Sequence, residues 1–414
     1  MTIGDIIFYI FIFLALYVQV FFLVTFLEKR SFLKKDKSSD VKLSEYPQVT
    51  FIVPCFNEEA TVVQTIQSIK NLTYPQELIS IFVVDDGSRD NTLEVLQKYA
   101  NDSQVRVFSK ENGGKHSALN HALEYVETPF ICSFDADTHI LPDALVNAFV
   151  YFQNNSKLDA LGGAVLINKP TTIVQKAQSV EYQMFSYTKK ILGVLGGVLV
   201  TPGAFSLFKT RSLREVGGYR KAYLLEDLEL TYRLQKNGYC VDHAHDAFVY
   251  TKGPESLKDL FKQRLRWSFG YINNTFQYRS MILNKKYGNF GMFTLPMTII
   301  AYPAIFQVFI LFWYNTVSFL SRKYVEYQAL GSTAFVPSFS SDFFFVDTKL
   351  TTILTLMLFA TVFISIYLGK VVSRIENFSI ISVFWFIVVY SVMVPVWTLT
   401  ALYRTVARKS VSWR

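Results

Sequence analysis

Long apolar runs lie at both ends of the chain. Residues 6–27 read IIFYIFIFLALYVQVFFLVTFL, in which Gln19 is the one strongly polar residue. Three further runs follow near the C-terminus, at about residues 290–320, 350–368 and 378–402. An α-helix of about 20 apolar residues crosses a hydrocarbon core of about 30 Å, so each run is long enough to span a membrane. We therefore predict membrane helices at both ends.

The middle of the chain has a different pattern, in which short strand-like runs alternate with amphipathic stretches. The strand-like runs are nearly continuous in apolar residues, as is usual for strands that are covered on both faces. They are Val49–Cys55, Ser80–Val84, Val105–Phe108 and Phe130–Phe134. The helical patterns between them fall at residues 58–71, 91–101 and 115–126. This alternation predicts a parallel, doubly wound α/β sheet.

These patterns divide the chain into four parts. We expect an N-terminal transmembrane helix at residues 1–30 and an α/β domain at 45–255. An amphipathic interfacial segment follows at 256–288, and a C-terminal transmembrane region with about three apolar segments occupies 289–414.

The distribution of Lys and Arg around the first run predicts its orientation. Residues 1–5 carry neither, whereas a basic segment follows the run directly. Its cationic residues are Lys29, Arg30, Lys34, Lys35 and Lys37. Because Lys and Arg accumulate on the cytoplasmic side of a membrane span, we expect the α/β domain in the cytosol of a multi-pass protein of the cytoplasmic membrane.

The C-terminal charges conflict with a simple count of crossings. Three further crossings would place the C-terminus outside, whereas Arg404, Arg408, Lys409 and Arg414 favour the cytoplasmic side. One of the three runs is therefore a candidate for a re-entrant or interfacial segment. The run at about 290–320 is the best candidate because Pro296 and Pro303 interrupt it.

Composition narrows the class of protein further. Hydrophobic residues make up 51% of the chain and charged residues 18%, below the share of about a quarter that is typical of soluble proteins. The aromatic share of 16% excludes a disordered chain, and a count of three cysteines excludes a disulfide scaffold. Lys plus Arg is 41 and Asp plus Glu is 33, which gives a net charge of +8. We expect no nucleic-acid partner.

Polar residues follow each of the four predicted strands, where ligands bind on sheets of this type. They are Asn57 and Glu58, then Asp85-Asp86-Gly87-Ser88, then Gly113-Gly114-Lys115, and finally Asp135-Ala136-Asp137. Side chains two positions apart on a strand point the same way, so the last two carboxylates are suited to holding a divalent cation with diphosphate oxygens. The alternative is a loop in which an aspartate caps the next helix.

The other two strand ends allow a nucleotide contact. Asp86 is placed to accept hydrogen bonds from a base N–H or a ribose hydroxyl, although a plain turn with Asp90 as a helix cap fits the same residues. Lys115 begins a predicted helix, where backbone N–H groups favour an anion, although a surface lysine is an equally ordinary reading.

Two further patterns lie beyond the four strands. Glu226 and Asp227 precede an amphipathic stretch, so one of them is a candidate general base; the alternative is acids in the first turn of a helix. Gln263, Arg266 and Trp267 are spaced i, i+3 and i+4 on a predicted helix from Leu257 to about Tyr278, so they share one face. That face suits a diphosphate and a sugar ring, or a basic helix at the membrane interface.

The order of these motifs resembles that of the membrane-embedded family 2 glycosyltransferases, among them the cellulose, chitin, hyaluronan and poly-β-1,6-N-acetylglucosamine synthases. The resemblance covers about residues 45–280. It rests on Asn57-Glu58, Asp85-Asp86-Gly87-Ser88, Gly114-Lys115, Asp135-Ala136-Asp137, Glu226-Asp227 and Gln263-Arg264-Leu265-Arg266-Trp267. The Q-x-x-R-W pattern after an acidic pair is its most specific feature.

The resemblance implies an α/β fold of GT-A type, a Rossmann-like and mostly parallel sheet, joined to an α-helical transmembrane bundle. It also implies a UDP-sugar donor and Mg²⁺ or Mn²⁺ as cofactor. By this analogy Asp135 and Asp137 bind the sugar diphosphate and the metal ion, and Asp227 is the general base beside Glu226. The implied substrate-binding residues are Asn57, Glu58, Asp86 at the uridine, Lys115 near the nucleotide, Asp135, Gly203 in the acceptor-side segment Pro202–Phe208, Gln263, Arg266 and Trp267. Leu225 departs from the family pattern, since many relatives carry Thr there.

The function implied is the inverting, processive transfer of a sugar, for which we favour N-acetylglucosamine, to a growing β-linked polysaccharide, with coupled export. The expected partners are the UDP-sugar, the polysaccharide acceptor, the lipid bilayer and an accessory membrane subunit. One alternative is a non-processive lipid glycosyltransferase. A second, from another class, is a non-catalytic membrane-anchored nucleotide-binding scaffold.

Overall fold

The structure is a computed structural model, which describes residues 3–29, 43–332, 350–375 and 379–411 of the chain. Part of the segments interpreted above falls outside these ranges. The basic residues Arg30, Lys34, Lys35 and Lys37, the start of the last apolar run at Phe378 and the terminal Arg414 lie outside the described residues.

The strands of the middle region form one mixed sheet of eight strands in the order β3-β2-β1-β4-β7-β6-β8-β5. The strands are β1 (Val49–Cys55), β2 (Ile79–Asp85), β3 (Val105–Ser109), β4 (Phe130–Phe134), β5 (Thr138–Ile140), β6 (Leu158–Ile167), β7 (Phe205–Lys209) and β8 (Cys240–Thr251). This sheet confirms the predicted α/β class.

The first half of the sheet is parallel, as predicted. Strand β1 pairs in parallel with β2 and with β4, and β2 pairs in parallel with β3. The helices α2 (Val62–Lys70), α3 (Thr92–Gln97) and α4 (Lys115–Glu124) connect these strands. The carboxyl ends of these parallel strands therefore lie at one edge of the sheet, which is the condition for a shared ligand site.

The second half of the sheet is mixed, which the sequence pattern did not predict. Strand β7 runs antiparallel to both β4 and β6, while β6 pairs in parallel with β8 and β5 runs antiparallel to β8. Among the described strands, four of the seven pairings are parallel, so the sheet is mostly parallel.

Helices cover both faces of the sheet. Successive side chains of a strand point to opposite faces, so a continuously apolar strand has apolar side chains to bury on each face. Phe51 packs with Ile66 of α2 and with Phe149 of α5 (Ala144–Asn154) in one apolar cluster. Ile52, the next residue of β1, packs with Leu119 of α4 in another cluster on the opposite face. That face is also covered by α7 (Thr210–Glu215) and α8 (Glu226–Lys236).

A layer of long helices covers the edge of the sheet where the site lies. They are α1 (Ile3–Glu28), α6 (Ile173–Val194), α9 (Leu257–Gln277), α10 (Leu295–Leu330), α11 (Leu350–Val372) and α12 (Ile380–Val406). Within the described residues, three helical segments are long and apolar enough to cross a membrane. They are Ile6–Glu28, Ile353–Val372 and Ile380–Val406.

The proline-interrupted run differs from these three segments. It forms the 36-residue helix α10 with Pro303 inside it, preceded by a π-helical turn at Phe290–Thr294. Within the described residues, an apolar stretch at Phe290–Ala304 includes the start of this helix. The re-entrant or interfacial placement of the run stays a prediction.

Helices α6 and α9 join the sheet domain to the long apolar helices. Helix α6 starts with a capping box, in which the Thr172 side chain and the Gln175 side chain each accept from the other residue's backbone N–H. Val180 of α6 packs on Ile366 of α11 and Val383 of α12. Leu265 of α9 packs in a cluster with Tyr390 and Trp397 of α12, so the two helices hold the sheet edge against the bundle.

Candidate active site

A cavity of about 970 Å³ lies between the carboxyl ends of the parallel strands and the long helices. All of the predicted site residues except Asn57 line it. They are Glu58, Asp86, Lys115, Asp135, Asp137, Gly203, Glu226, Asp227, Gln263, Arg266 and Trp267. The fold thus brings together side chains that are up to about two hundred residues apart in the sequence.

Asp86 shapes the loop that follows β3. One of its carboxylate oxygens accepts hydrogen bonds from Lys110 Nζ at 2.8 Å and from the Gly113 N–H at 3.0 Å, and the other accepts from the Gly114 N–H at 2.7 Å. Gly114 has a φ of 86°, which an L side chain rarely adopts. Asp86 therefore positions the start of α4, and its uridine contact stays a prediction.

Asn57 and Glu58 differ in what their side chains do. The Asn57 side-chain oxygen accepts from the Arg89 N–H at 2.8 Å, so it supports the turn after β2 and does not line the cavity. A direct substrate contact by Asn57 stays a prediction. Glu58 lines the cavity, and its carboxylate accepts from Thr61 Oγ1 at 2.7 Å. Asp90 accepts from the N–H of Thr92, the first residue of α3, so it helps to begin that helix.

Asp135 and Asp137 place two carboxylates in the cavity. The Asp137 side chain accepts from Thr138 Oγ1 at 3.2 Å and from Thr251 Oγ1 at 3.3 Å. Burial, together with the charges of Asp135 and Glu58, raises the pKa of Asp137 to about 7. The alternative of a helix cap is wrong, because β5 follows Asp137 directly and α5 begins only at Ala144.

This crowding of carboxylates fits a bound cation. Three anionic groups face one part of the cavity, and a divalent ion would offset their repulsion. Among the described residues, no group of three His, Cys, Asp or Glu side chains is arranged to hold a metal ion by itself. Any ion held by Asp135 and Asp137 would therefore need further oxygen ligands from a substrate or water.

Lys115 is a buried cation that links two acidic groups. Its Nζ forms an ion pair with Asp135 and lies 3.6 Å from Glu226 Oε1. Burial alone would lower the pKa of Lys115, but Asp135, Glu226 and Asp227 raise it above its ordinary value. The alternative of a surface lysine is wrong, since the side chain is 14% exposed.

Asp227 lies in the first turn of α8, with its carboxylate fixed by backbone groups. The two oxygens accept from the Gly203 N–H at 3.1 Å and from the Leu228 N–H at 2.8 Å. Burial and the adjacent charge of Glu226 raise the pKa of Asp227. A Cβ on Gly203 would lie 2.5 Å from Lys115 Nζ, so the absence of a side chain there leaves room for this lysine.

A strained turn precedes the acidic pair. Ala222, Tyr223 and Leu224 all have positive φ, at 42°, 56° and 64°. Such conformations cost roughly 1–3 kcal/mol each in non-glycine residues and persist where the surroundings enforce them. Here Arg266 Nη1 donates to the Leu224 carbonyl at 2.9 Å, and Asn274 Nδ2 donates to the Ala222 carbonyl at 3.0 Å.

Helix α9 can approach this turn because it carries Gly270. A Cβ there would lie 2.6 Å from the Leu225 Cβ. Gln263, Arg266 and Trp267 all line the cavity, as their spacing predicted. The Gln263 Oε1 atom is buried and has no hydrogen-bond partner among the described residues, so it is available to a ligand.

Sequence reasoning missed an ion pair on the membrane side of the cavity. Arg264 of α9 pairs with Glu181 of α6, and Tyr390 of α12 donates to the same Glu181 oxygen at 2.6 Å. The Arg264 guanidinium lies 4.1 Å from the centre of the Trp267 ring. The sequence signal was partial: Arg264 occupies a variable position of the Q-x-x-R-W pattern and Glu181 is an acid in α6, but neither residue identifies its partner.

Two further basic groups in the cavity were also missed. Burial lowers the pKa of Lys189 to about 8, against the opposite influence of Asp227. Burial also lowers the pKa of His243, and neither of its ring nitrogens has a hydrogen-bond partner among the described residues. Both residues lie on elements that carry no recognisable motif, namely α6 and β8.

The sheet, the acids at its strand ends and the cavity that they share define a glycosyltransferase of GT-A type. Residues 47–270 match the family described as glycosyltransferase like family 2, and the chain belongs to that family.

Two relatives carry the same name. The poly-beta-1,6-N-acetyl-D-glucosamine synthase of Staphylococcus epidermidis is 29% identical over 306 residues, which is 72% of this chain and 73% of that protein. The enzyme of that name from Staphylococcus aureus strain COL is 31% identical over 237 residues, which is 57% of each chain.

A solved structure shows the same fold. The mannosyltransferase of Pyrobaculum calidifontis, determined with GDP-mannose and Mn²⁺, superposes with a TM-score of 0.55. It covers 89% of this chain and 100% of its own, at 16% identity. This similarity concerns the fold.

Proposed function

We propose that this chain transfers N-acetylglucosamine from UDP-N-acetylglucosamine to a growing β-linked polysaccharide at the cytoplasmic face of the membrane. The choice of sugar rests on the names of the two staphylococcal relatives. The observation that carries the reaction type is that Asp86, Asp137 and Asp227 share one cavity with the Q-x-x-R-W residues.

The strand-end side of the cavity is the proposed donor site. Asp86 and the start of α4 would receive the nucleotide, with Lys115 near its diphosphate. Lys115 is paired with Asp135 here, and a cationic amine suits a phosphate oxygen equally well. Asn57 and Glu58 are proposed to complete this side, Glu58 from the cavity wall and Asn57 from the turn beside it.

Asp135 and Asp137 are the proposed ligands of Mg²⁺ or Mn²⁺. When bound, the ion would act as a Lewis acid toward the diphosphate leaving group. The structural neighbour was determined with Mn²⁺, which supports a divalent ion in this fold.

Asp227 is the proposed general base. Its carboxylate would take the proton of the acceptor hydroxyl as that oxygen forms a bond to the anomeric carbon. The bond from this carbon to the diphosphate oxygen breaks on the opposite face, its electron pair leaves with UDP, and the configuration inverts from α to β. Burial and Glu226 raise the pKa of Asp227, which strengthens it as a base.

The membrane side of the cavity is the proposed acceptor site. Gln263, Arg266 and Trp267 line it together with Tyr302 of α10 and Trp397 of α12. Tyr302 stacks on Tyr271 with ring centres 5.4 Å apart. Aromatic faces of this kind suit sugar rings, so we propose that the product leaves along these helices in a processive reaction.

We propose that the chain crosses the membrane three times, which would remove the conflict over the C-terminus. If the N-terminus lies outside, Ile6–Glu28 brings the sheet domain into the cytosol, and the pair Ile353–Val372 and Ile380–Val406 returns the chain to that side. Arg404, Arg408 and Lys409 would then be cytoplasmic, as the distribution of basic residues requires. An accessory membrane subunit is a further proposed partner.

The test is the purified full chain in lipid nanodiscs, supplied with a panel of UDP-sugars and Mg²⁺ or Mn²⁺ while UDP release and product length are followed. We expect UDP release with UDP-N-acetylglucosamine and a ladder of polymer. A single sugar on a lipid would establish the non-processive alternative, and nucleotide binding without UDP release would establish the scaffold.

A further inference from the structure

A second cavity of about 930 Å³ lies on the other side of the strained turn. The 220–224 segment, helix α9 and the end of α12 form its walls. Its lining carries five cationic side chains, namely Arg220, Lys221, Arg404, Arg408 and Lys409. The proposed reaction uses none of these side chains.

Within the part of the chain that the structure describes, the positive charge of this basic cavity is not neutralised. Glu229 is the one acidic residue among the described lining residues, and its carboxylate already forms a two-point ion pair with the buried Arg233. Arg220 lies 3.9 Å from the same carboxylate. Within the described ranges, no carboxylate lies at ion-pair distance from Lys221, Arg404, Arg408 or Lys409.

The other contacts of these side chains are neutral. Arg404 donates to the Ser410 carbonyl at 2.8 Å, and Lys409 donates to the Tyr403 hydroxyl at 3.3 Å. Like charges gathered around one cavity repel each other unless an anion is present. The charge and the volume together fit a phosphate ester.

The position of the basic cavity indicates the source of that phosphate. Arg404 and Thr405 belong to the last turn of Ile380–Val406, which is one of the apolar segments long enough to cross a membrane. The end of a membrane span lies at the level of the lipid headgroups, where anionic phospholipids attract Lys and Arg.

The two cavities share a wall. Lys221 and Leu224 line both, so the left-handed turn at Ala222–Leu224 separates the basic cavity from the active site. The turn leads directly into Glu226 and Asp227. An anion bound by Lys221 would therefore contact the segment that positions the proposed base, Asp227.

We propose that the basic cavity binds the phosphate of an anionic phospholipid headgroup, and that its occupancy stabilises the turn that positions Asp227. The binding is independent of the proposed function, whereas the effect on turnover rests on it. The same chemistry would accept a free phosphate ester, which the experiment separates.

The test compares the full chain in nanodiscs of phosphatidylcholine alone with nanodiscs that also contain phosphatidylglycerol. The variant Arg408→Gln/Lys409→Gln removes two exposed cations of the cavity. The matched control Lys285→Gln/Lys286→Gln removes two exposed cations that do not line it. Two quantities are measured: phosphatidylglycerol retained per protein after detergent exchange, by mass spectrometry, and the rate of UDP release.

We expect phosphatidylglycerol to raise the turnover of the unmodified chain and of the control about fivefold, within the usual range of coupling between two sites. The cavity variant should lose both the retained lipid and the stimulation. Stimulation by inorganic phosphate in phosphatidylcholine nanodiscs, lost in the same variant, would assign the site to a free phosphate instead of a lipid.

Equal lipid retention by the cavity variant and the control would overturn the proposal. Retention that depends on the cavity without any UDP release would leave the lipid site standing and would contradict the proposed function. A third outcome is phosphatidylglycerol retention that depends on the cavity, together with equal rates of UDP release in nanodiscs with and without phosphatidylglycerol. That outcome would overturn the proposed effect of the lipid on the turn that positions Asp227.

Discussion

The two sides of the active-site cavity are built in different ways. On the strand-end side, acids follow β1, β2 and β4, and backbone N–H groups hold the carboxylates of Asp86 and Asp227. On the membrane side, Glu181, Arg264 and Tyr390 come from three separate helices and hold one another. The first side is assembled by local chain geometry and the second by the packing of distant elements.

This difference indicates what each side contributes. The strand-end carboxylates carry the proposed chemistry, and their positions depend on short loops of a rigid sheet. The pair of Glu181 and Arg264 joins α6 and α9 and meets Tyr390 of α12, so it fixes the cavity against the bundle. Substitutions of the strand-end carboxylates should therefore reduce activity before stability, and substitutions in the Glu181–Arg264 pair should do the reverse.

The sharpest test of the strand-end side is Asp227→Asn. We expect a loss of transfer of about 10² to 10⁴-fold with nucleotide binding nearly unchanged, because the amide preserves the shape and removes the base. Initial rates of UDP release and the affinity for UDP, measured on the same preparation, check this. Weakened UDP affinity with transfer retained would contradict the assignment of the base.

The matching test of the membrane side is Arg264→Met. Removal of one partner leaves Glu181 charged and buried, which costs about 3–5 kcal/mol. We expect a lower midpoint of thermal unfolding of the detergent-solubilised chain. A smaller loss is expected for Glu181→Met/Arg264→Met, since no uncompensated charge remains in that variant.

Lys262→Met provides the control for this test. It removes an exposed cation two positions away on the same helix, and we expect its midpoint to match that of the unmodified chain. An Arg264→Met variant that is as stable as the control would show that the ion pair does not hold the helices together.

The same contrast explains how much the sequence could predict. The four parallel strands and the helices between them were predicted because each carries its own periodic pattern, and all but one of the predicted site residues line the cavity. Asn57 was the exception, because a residue at a strand end can turn its side chain to a neighbouring loop.

The membrane side could not be predicted in the same way. Glu181 and Arg264 are 83 positions apart, and Tyr390 is 209 positions from Glu181. No local sequence pattern indicates that these three residues contact one another. The antiparallel pairing of β7 was also missed, because its pairing with β4 depends on a chain reversal that spans β5, α5, β6 and α6.

The next expected effect belongs to the strand-end side and concerns the metal ion. Asp137→Ala should weaken binding of the UDP-sugar in the presence of Mg²⁺ or Mn²⁺ by at least about tenfold, as loss of a group that supports a metal does. Isothermal titration with and without EDTA measures this. Glu124→Ala, an exposed acid at the end of α4, should leave the affinity unchanged. Turnover that is unaffected by EDTA would show that the cation role is wrong.

A smaller effect on the membrane side is expected from Trp267→Ala. The ring borders the cavity and stacks against Arg264, and such contacts contribute about 0.5–2 kcal/mol. We expect transfer to fall several-fold while the amount of protein in the membrane fraction stays the same. Trp267→Phe should recover part of the activity. A normal yield of product from Trp267→Ala would make the residue an anchor at the membrane interface.

The smallest expected effect concerns the pH dependence on the strand-end side. Glu226 contributes to the raised pKa of Asp227, so Glu226→Gln should lower that pKa. Since the base acts in its ionised form, the acid limb of the rate profile should move to lower pH, by less than about one unit. Initial rates of UDP release between pH 5 and pH 8 test the direction in which the acid limb moves. The substitution also removes the contact between Glu226 and Lys115. We expect that loss to lower the rate at every pH without moving the limb. A limb that moves to higher pH would mean that Glu226 lowers the pKa of Asp227, and the two acids would then have to exchange roles.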